Sequence, residues 1–137
     1  MSKKLNCVLL VDDDPNCNFF HQRLFEKLDC VESIEIAING KRALEFLKSG
    51  KTKVDLIFLD INMPVMDGLK FLEEYEKLKE EEKAKVIIVM VTTTFDLNDK
   101  IKAKSFASVK GFKTKYVDQQ ELENILKEFF PESLEIN

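Results

Sequence analysis

Two hydrophobic periods alternate along this chain from end to end, and that alternation restricts its fold more than any other feature. Short runs of strand texture stand at residues 6–11 (NCVLLV), 33–38 (SIEIAI), 54–59 (VDLIFL), 86–91 (VIIVMV) and 111–117 (GFKTKYV). Between them, apolar residues recur at the helical spacing of three and four. The first helical stretch has Pro15 directly behind Asp14, an N-cap and first-turn pair, and carries Phe20, Leu24 and Leu28 on one stripe. The second follows Asn39 and Gly40, carries Ala43, Leu44 and Leu47, and stops at Gly50. Phe71, Leu72, Tyr75 and Leu78 mark the third, and residues 97–105 form a weakly patterned fourth. The fifth opens with Asp118 and Glu121 at capping-box spacing, continues through Leu122, Ile125, Leu126 and Phe129, and ends before Pro131.

Strands that alternate with helices are joined by crossovers, so the sheet they form is parallel and covered by helices on both faces. The first, third and fourth runs are apolar on both faces, as interior strands are, whereas the second and fifth alternate as half-exposed edge strands do. Strand order 2-1-3-4-5 satisfies this texture and makes the chain an α/β protein with a doubly wound five-stranded parallel sheet. With 137 residues and no linker, repeat or low-complexity tract, the chain reads as one domain, residues 1–137, with its core at residues 5–130 and a frayed tail at 131–137.

Composition removes several function classes. The 45% hydrophobic and 34% charged content is that of an ordinary globular protein. No apolar run approaches the roughly 20 residues of a membrane span, and the N-terminal run is too short for a signal sequence, so no membrane contact and a cytoplasmic location are expected. Cys7, Cys17 and Cys30 show no CxxC or Cys/His spacing, which suggests neither a disulfide framework nor a zinc site. His21 is the sole histidine and reads as a helix-face residue; a Ser-His-Asp triad is remote. A net charge of −4 argues against a nucleic-acid partner. Lys100, Lys102, Lys104, Lys110, Lys113 and Lys115 nevertheless cluster, as a solvated face or a docking surface for an acidic partner.

Doubly wound sheets bind ligands at the C-terminal ends of their strands, in this order at the switch point between the first and third. The first run ends in Asp12 and Asp13, the third in Asp60, the fourth in Thr92 and Thr93, and the fifth reaches Lys115. Singly, each has an ordinary explanation: a polar loop, a core hydroxyl, an exposed edge-strand lysine. Together, three carboxylates, two hydroxyls and an ammonium converge on one crevice. Clustered carboxylates resist ionisation unless a cation neutralises them. An all-oxygen donor set selects a hard ion, and Mg²⁺, held through one or two carboxylates and a phosphate oxygen, fits it. Asp60 can then attack phosphorus while the metal, the Thr92 hydroxyl and the Lys115 ammonium neutralise the transferring oxygens. This use accounts for a costly carboxylate at the end of an apolar strand.

The stretches VLLVDDDP, LIFLDINMPVMDG, VIIVMVTT and GFKTK, with NGKRAL in the second helix, resemble the response-regulator receiver domains of two-component signalling over roughly residues 5–130. The Asp-x-Asn-Met-Pro-x-x-Asp-Gly signature with the acidic pair is highly specific to that family. The resemblance implies the flavodoxin-like receiver fold, with Asp60 as the phospho-accepting aspartate. It also implies Mg²⁺ held by Asp13, Asp60 and the backbone carbonyl of Asn62, with Asp12 helping through water. Thr92, Lys115 and the backbone N–H of Thr93 are implied around the phosphoryl oxygens, and Phe112 as the aromatic whose rotamer switches with Thr92. Two positions depart from the family pattern. Thr93 stands where a smaller alanine is usual, and Tyr116 stands where the lysine is normally followed by a cis proline. A non-proline cis peptide costs about 3–4 kcal/mol, so the sequence predicts a trans Lys115–Tyr116 bond and an ammonium held less closely to Asp60.

The function this implies is a single-domain response regulator, not an enzyme acting on an external substrate. It catalyses its own phosphorylation and dephosphorylation, and takes the phosphoryl group from the phosphohistidine of a histidine kinase or histidine phosphotransfer protein. Output is expected through protein contact on the segment of residues 99–130, which begins with Asp99 and ends with Phe130. A phosphorylation-independent scaffold of the same fold is one alternative. A magnesium-dependent aspartyl-phosphate phosphohydrolase is another, but it needs an aspartate two residues after the nucleophile, where Asn62 stands. A flavodoxin-like flavin protein needs a hydroxyl-rich phosphate loop, where the three aspartates repel phosphate.

Overall fold

The computed structural model describes residues 4–63, 65–91 and 97–134. Strands β1 (Leu5–Val11), β2 (Val31–Ala37), β3 (Leu56–Asp60), β4 (Val86–Val91) and β5 (Val109–Thr114) form a parallel sheet in the order β2-β1-β3-β4-β5. Helices α1 (Pro15–Leu28), α2 (Gly40–Ser49), α3 (Gly68–Tyr75), α4 (Leu97–Lys104) and α5 (Gln119–Phe129) connect or follow them. The sequence-based strand order is therefore the observed one. Among the described residues, no helix is long and apolar enough to cross a membrane.

The two faces of the sheet carry separate cores because successive strand side chains point to opposite sides. Leu9, Val11, Ile57 and Leu59 face Ala43, Leu47, Phe71 and Tyr75 from α2 and α3. Val8, Leu10, Leu56 and Phe58 face Phe25, Leu122 and Leu126 from α1 and α5. Each fully buried aliphatic side chain of this kind contributes about 1.5–3 kcal/mol. Caps set the helix starts: Asp14, Asn39 and Asp67 accept backbone N–H bonds from Asn16, Arg42 and Lys70. Asp118 and Glu121 form the expected reciprocal box. Gly50 ends α2 at φ 67°, in the left-handed region that favours glycine.

The structure differs from the sequence reading in α1 and at the C-terminal end. Phe20 was expected on the buried stripe of α1 but is exposed; the inward face carries Cys17, Asn18, His21, Leu24 and Phe25. The inward stripe is centred on His21, and Phe20, rotated from it by about 100°, falls off that stripe toward solvent. The stretch after α5 is not frayed from its start, because Pro131–Leu134 forms a 3-10 turn with Ser133 buried. Its N–H donates to the Phe130 carbonyl.

One glycine is required by close approach. Gly68 opens α3 and donates its N–H to the Ile61 carbonyl at 3.0 Å. A Cβ placed there would lie 2.7 Å from the Ile61 Cα and 2.9 Å from the Asp60 carbonyl oxygen, neither of which can rotate away. Gly68→Ala is expected to lower stability by about 2–3 kcal/mol, read as a reduced urea midpoint. An unchanged midpoint would show that α3 can move off β3 without cost.

Candidate functional site

The crevice is built from the backbone upward at the C-terminal end of the sheet. Asp12 directly follows β1; its N–H donates to the Ala37 carbonyl of β2, and its own carbonyl accepts from Asn18 Nδ2 on α1 at 2.8 Å. Held on both sides, its side chain is wholly buried. One carboxylate oxygen accepts the Asp14 N–H at 2.9 Å, and the other faces the Lys115 Nζ at 2.9 Å. Asp13 points to solvent beside it. Asp60, the last residue of β3, is 2% exposed. Its Oδ1 accepts the Asn62 N–H at 3.1 Å, and its Oδ2 lies 3.3 Å from the Lys115 Nζ. Carboxylate oxygens of Asp12, Asp13 and Asp60 lie within 4.8 Å of one another. Lys115 follows β5 and is anchored by its N–H to the Val91 carbonyl.

Like charges at this separation perturb titration strongly. Burial, and then the neighbouring Asp12 carboxylate, push the Asp60 carboxyl up to about 6, against the opposing pull of the Asn62 N–H and the Lys115 ammonium. For Lys115, burial favours the neutral amine. The hydrogen bond to Asp12 and the charges of Asp12 and Asp60 outweigh it, so the group is held above the ordinary lysine range. At neutral pH the crevice therefore holds more carboxylate than the Lys115 ammonium balances, an arrangement suited to a further cation.

The sequence-derived site residues fall into three groups. Asp12, Asp13, Asp60 and Lys115 are brought together as expected, and the backbone of Asn62 turns onto Asp60. Phe112 lies on β5 opposite Val89, with the Lys100 ammonium 5.4 Å from its ring centre. Thr92 and Thr93 lie outside the described residues. The expectation for Lys115–Tyr116 is corrected: this peptide is cis, and the ammonium is drawn to both buried carboxylates. Contacts on either side account for it, since the Tyr116 ring packs edge-on against Phe20 at 5.1 Å, and the Val117 N–H donates to His21 Nε2 at 3.1 Å. His21 and Asn18 were missed as parts of this architecture. Their only sequence signal is spacing, with Asn18 four residues after the Asp14 cap and His21 four after Cys17.

The profile of the response regulator receiver domain matches residues 8–127. The chain belongs to this receiver family. The receiver is a phosphoacceptor signalling domain of two-component systems. It is 43% identical over 70 residues to a protein-glutamate methylesterase/protein-glutamine glutaminase of Vibrio cholerae, a match that takes in 49% of this chain and 17% of that enzyme. A two-component response regulator from Cytophaga hutchinsonii shares the fold, with a TM-score of 0.79 at 24% identity, over 93% of the receiver and 98% of that chain. Thermotoga maritima TrrA, solved with Mg(2+)-BeF, is 27% identical with a TM-score of 0.72, over 92% of the receiver and 100% of its own chain. The receiver domain of Saccharomyces cerevisiae Ssk1, solved with the histidine phosphotransfer protein Ypd1, also shares the fold. That match has a TM-score of 0.74 at 22% identity, covering 92% of the receiver and 89% of that chain.

Proposed function

We propose that this receiver takes a phosphoryl group onto Asp60 from a phosphohistidine and signals by changing which protein it binds. The observation that carries this reading is the position of Asp60: a buried carboxylate at a strand end, one oxygen held by a backbone N–H and the other facing an ammonium, with two further carboxylates within reach. An Asp60 oxygen forms the new bond to phosphorus as the phosphorus–nitrogen bond to the donor breaks, and the electron pair leaves on the imidazole nitrogen. Lys115 neutralises negative charge gathering on the phosphoryl oxygens. The Asn62 N–H keeps the carboxylate oriented. The all-oxygen cluster fits Mg²⁺, which Asp13, Asp60 and the Asn62 carbonyl would hold, with Asp12 acting through water. When bound, the ion supplies charge neutralisation to the phosphoryl oxygens. The complex of TrrA with Mg(2+)-BeF supports this choice of ion.

The phosphodonor is a histidine kinase or a histidine phosphotransfer protein, met in the cytoplasm. Next to the crevice, Phe19, Ile36, Ile38 and Val65 line an apolar groove of about 600 Å³ that also reaches Asp13, a surface on which such a donor can seat. Output runs through residues 99–130, where exposed Ile101 stands among Lys100, Lys102 and Lys104 on α4. Thr92 and Phe112 are assigned the coupling of that face to Asp60, and Thr93 a share in phosphoryl binding, on the family resemblance.

The test is incubation of the purified protein with acetyl phosphate and Mg²⁺, followed by intact-mass analysis. One phosphoryl adduct is expected, absent when the metal is chelated, and Asp13→Asn should need more Mg²⁺ to reach the same occupancy. No adduct would leave a scaffold as the function. Continuous turnover of an aryl phosphate ester would make it a phosphohydrolase.

A further inference from the structure

A buried pair of polar contacts joins the turn after β5 to α1. The Val117 N–H donates to His21 Nε2 at 3.1 Å. A ring nitrogen that accepts is unprotonated, so the neutral imidazole carries its hydrogen on Nδ1. That nitrogen stands 3.6 Å from Cys17 Sγ, one helical turn earlier. Burial, followed by the charge of Asp12, keeps the thiol protonated well above its ordinary range. Burial also draws His21 down to about 4, so the ring is neutral at physiological pH. Val117, His21 and Cys17 are all 0% exposed, so no solvent competes for these contacts.

The consequence falls on Lys115. Its own N–H is fixed to the Val91 carbonyl, and two residues later the chain is fixed again at His21. The His21 ring also meets Phe58 edge-on at 5.4 Å, which locks its orientation against β3. Between the two anchors the lysine has one short span from which to reach both Asp12 and Asp60. We propose that His21 is a positioning residue for phosphoryl transfer: by accepting the Val117 N–H it holds the Lys115 ammonium against Asp60. This rests on the phosphoacceptor reading above.

The experiment measures phosphoryl uptake from phosphoramidate in saturating Mg²⁺ for the wild type, His21→Leu, His21→Gln, Lys115→Ala and the His21→Leu Lys115→Ala double variant. His21→Leu should slow uptake about tenfold, the scale on which small misplacement of a charge-stabilising group acts. His21→Gln, whose amide oxygen reaches the position of Nε2, should stay within about threefold of wild type. In the Lys115→Ala background, His21→Leu should have no further effect, as expected when one residue acts through the other. Equal slowing in both backgrounds, or a glutamine variant as slow as the leucine one, would overturn the assignment. If His21→Leu does not fold, His21→Asn takes its place, being polar but too short to reach Val117. Uptake by wild type and His21→Leu at equal rates overturns this inference alone, whereas no uptake by the wild type overturns the phosphoacceptor reading together with it.

Discussion

Asp60→Asn is expected to eliminate the phosphoryl adduct and, in the same metal-free protein, to raise stability. The first effect follows because an amide oxygen cannot act as the nucleophile. The second follows from the raised titration of Asp60, whose folded-state value of about 6 stands above the ordinary 3.8. Between those values the native state binds more protons than the unfolded state, so stability falls as pH rises through the window and the full penalty is present above pH 6. Discounting for solvent screening at the crevice mouth, that penalty is about 2 kcal/mol. Urea unfolding of wild type and Asp60→Asn in chelator should therefore show the variant more stable by about this amount at pH 7.5, with the difference vanishing near pH 4. A variant less stable than wild type at neutral pH would show that Asp60 is already fully compensated without metal. An adduct retained on Asp60→Asn would move the phosphorylation site elsewhere.

Lys115→Met carries the opposite sign. Its ammonium is shared between two carboxylates that are 0% and 2% exposed, and methionine keeps the length of the side chain without the charge. Removing one partner of a buried pair leaves the other charges desolvated, at a cost of about 3 kcal/mol. Metal-free Lys115→Met should lose that much at pH 7.5 by urea unfolding. Adding Asp60→Asn to it should recover more stability than the same substitution recovers in wild type, because the two carboxylates then repel without a screening ammonium. Magnesium should likewise stabilise Lys115→Met more than wild type. Equal stability of Lys115→Met and wild type would mean that the contacts at 2.9 and 3.3 Å contribute nothing net.

Most of the sheet was legible because its signal is local and redundant. Each interior strand is apolar on both faces, so β1, β3 and β4 could be ordered from texture alone, and with that order the convergence of Asp12, Asp13, Asp60 and Lys115 follows. What resisted reading depended on tertiary partners. In α1, Phe20 outweighs His21 on any hydrophobicity scale, yet the histidine is inward because the Val117 N–H needs an acceptor there. Nothing within ten residues of His21 announces that need. The Lys115–Tyr116 peptide was misjudged for the same reason, since the expectation weighed an isolated peptide, while Phe20, His21 and Val91 act on it from distant parts of the chain. Thr92 and Thr93 stay at the level of sequence pattern and family resemblance.

The wiring of the sheet also governs when the site comes into existence during synthesis. Its acidic members are supplied by the first half of the chain, and its ammonium only by Lys115, after β5 has been laid beside β4. A nascent chain that has emerged through β3 carries Asp60 but neither the cation that faces it nor the edge strand that delivers it. A chain truncated before Lys115 would thus lack the ammonium that faces Asp12 and Asp60 in the finished fold.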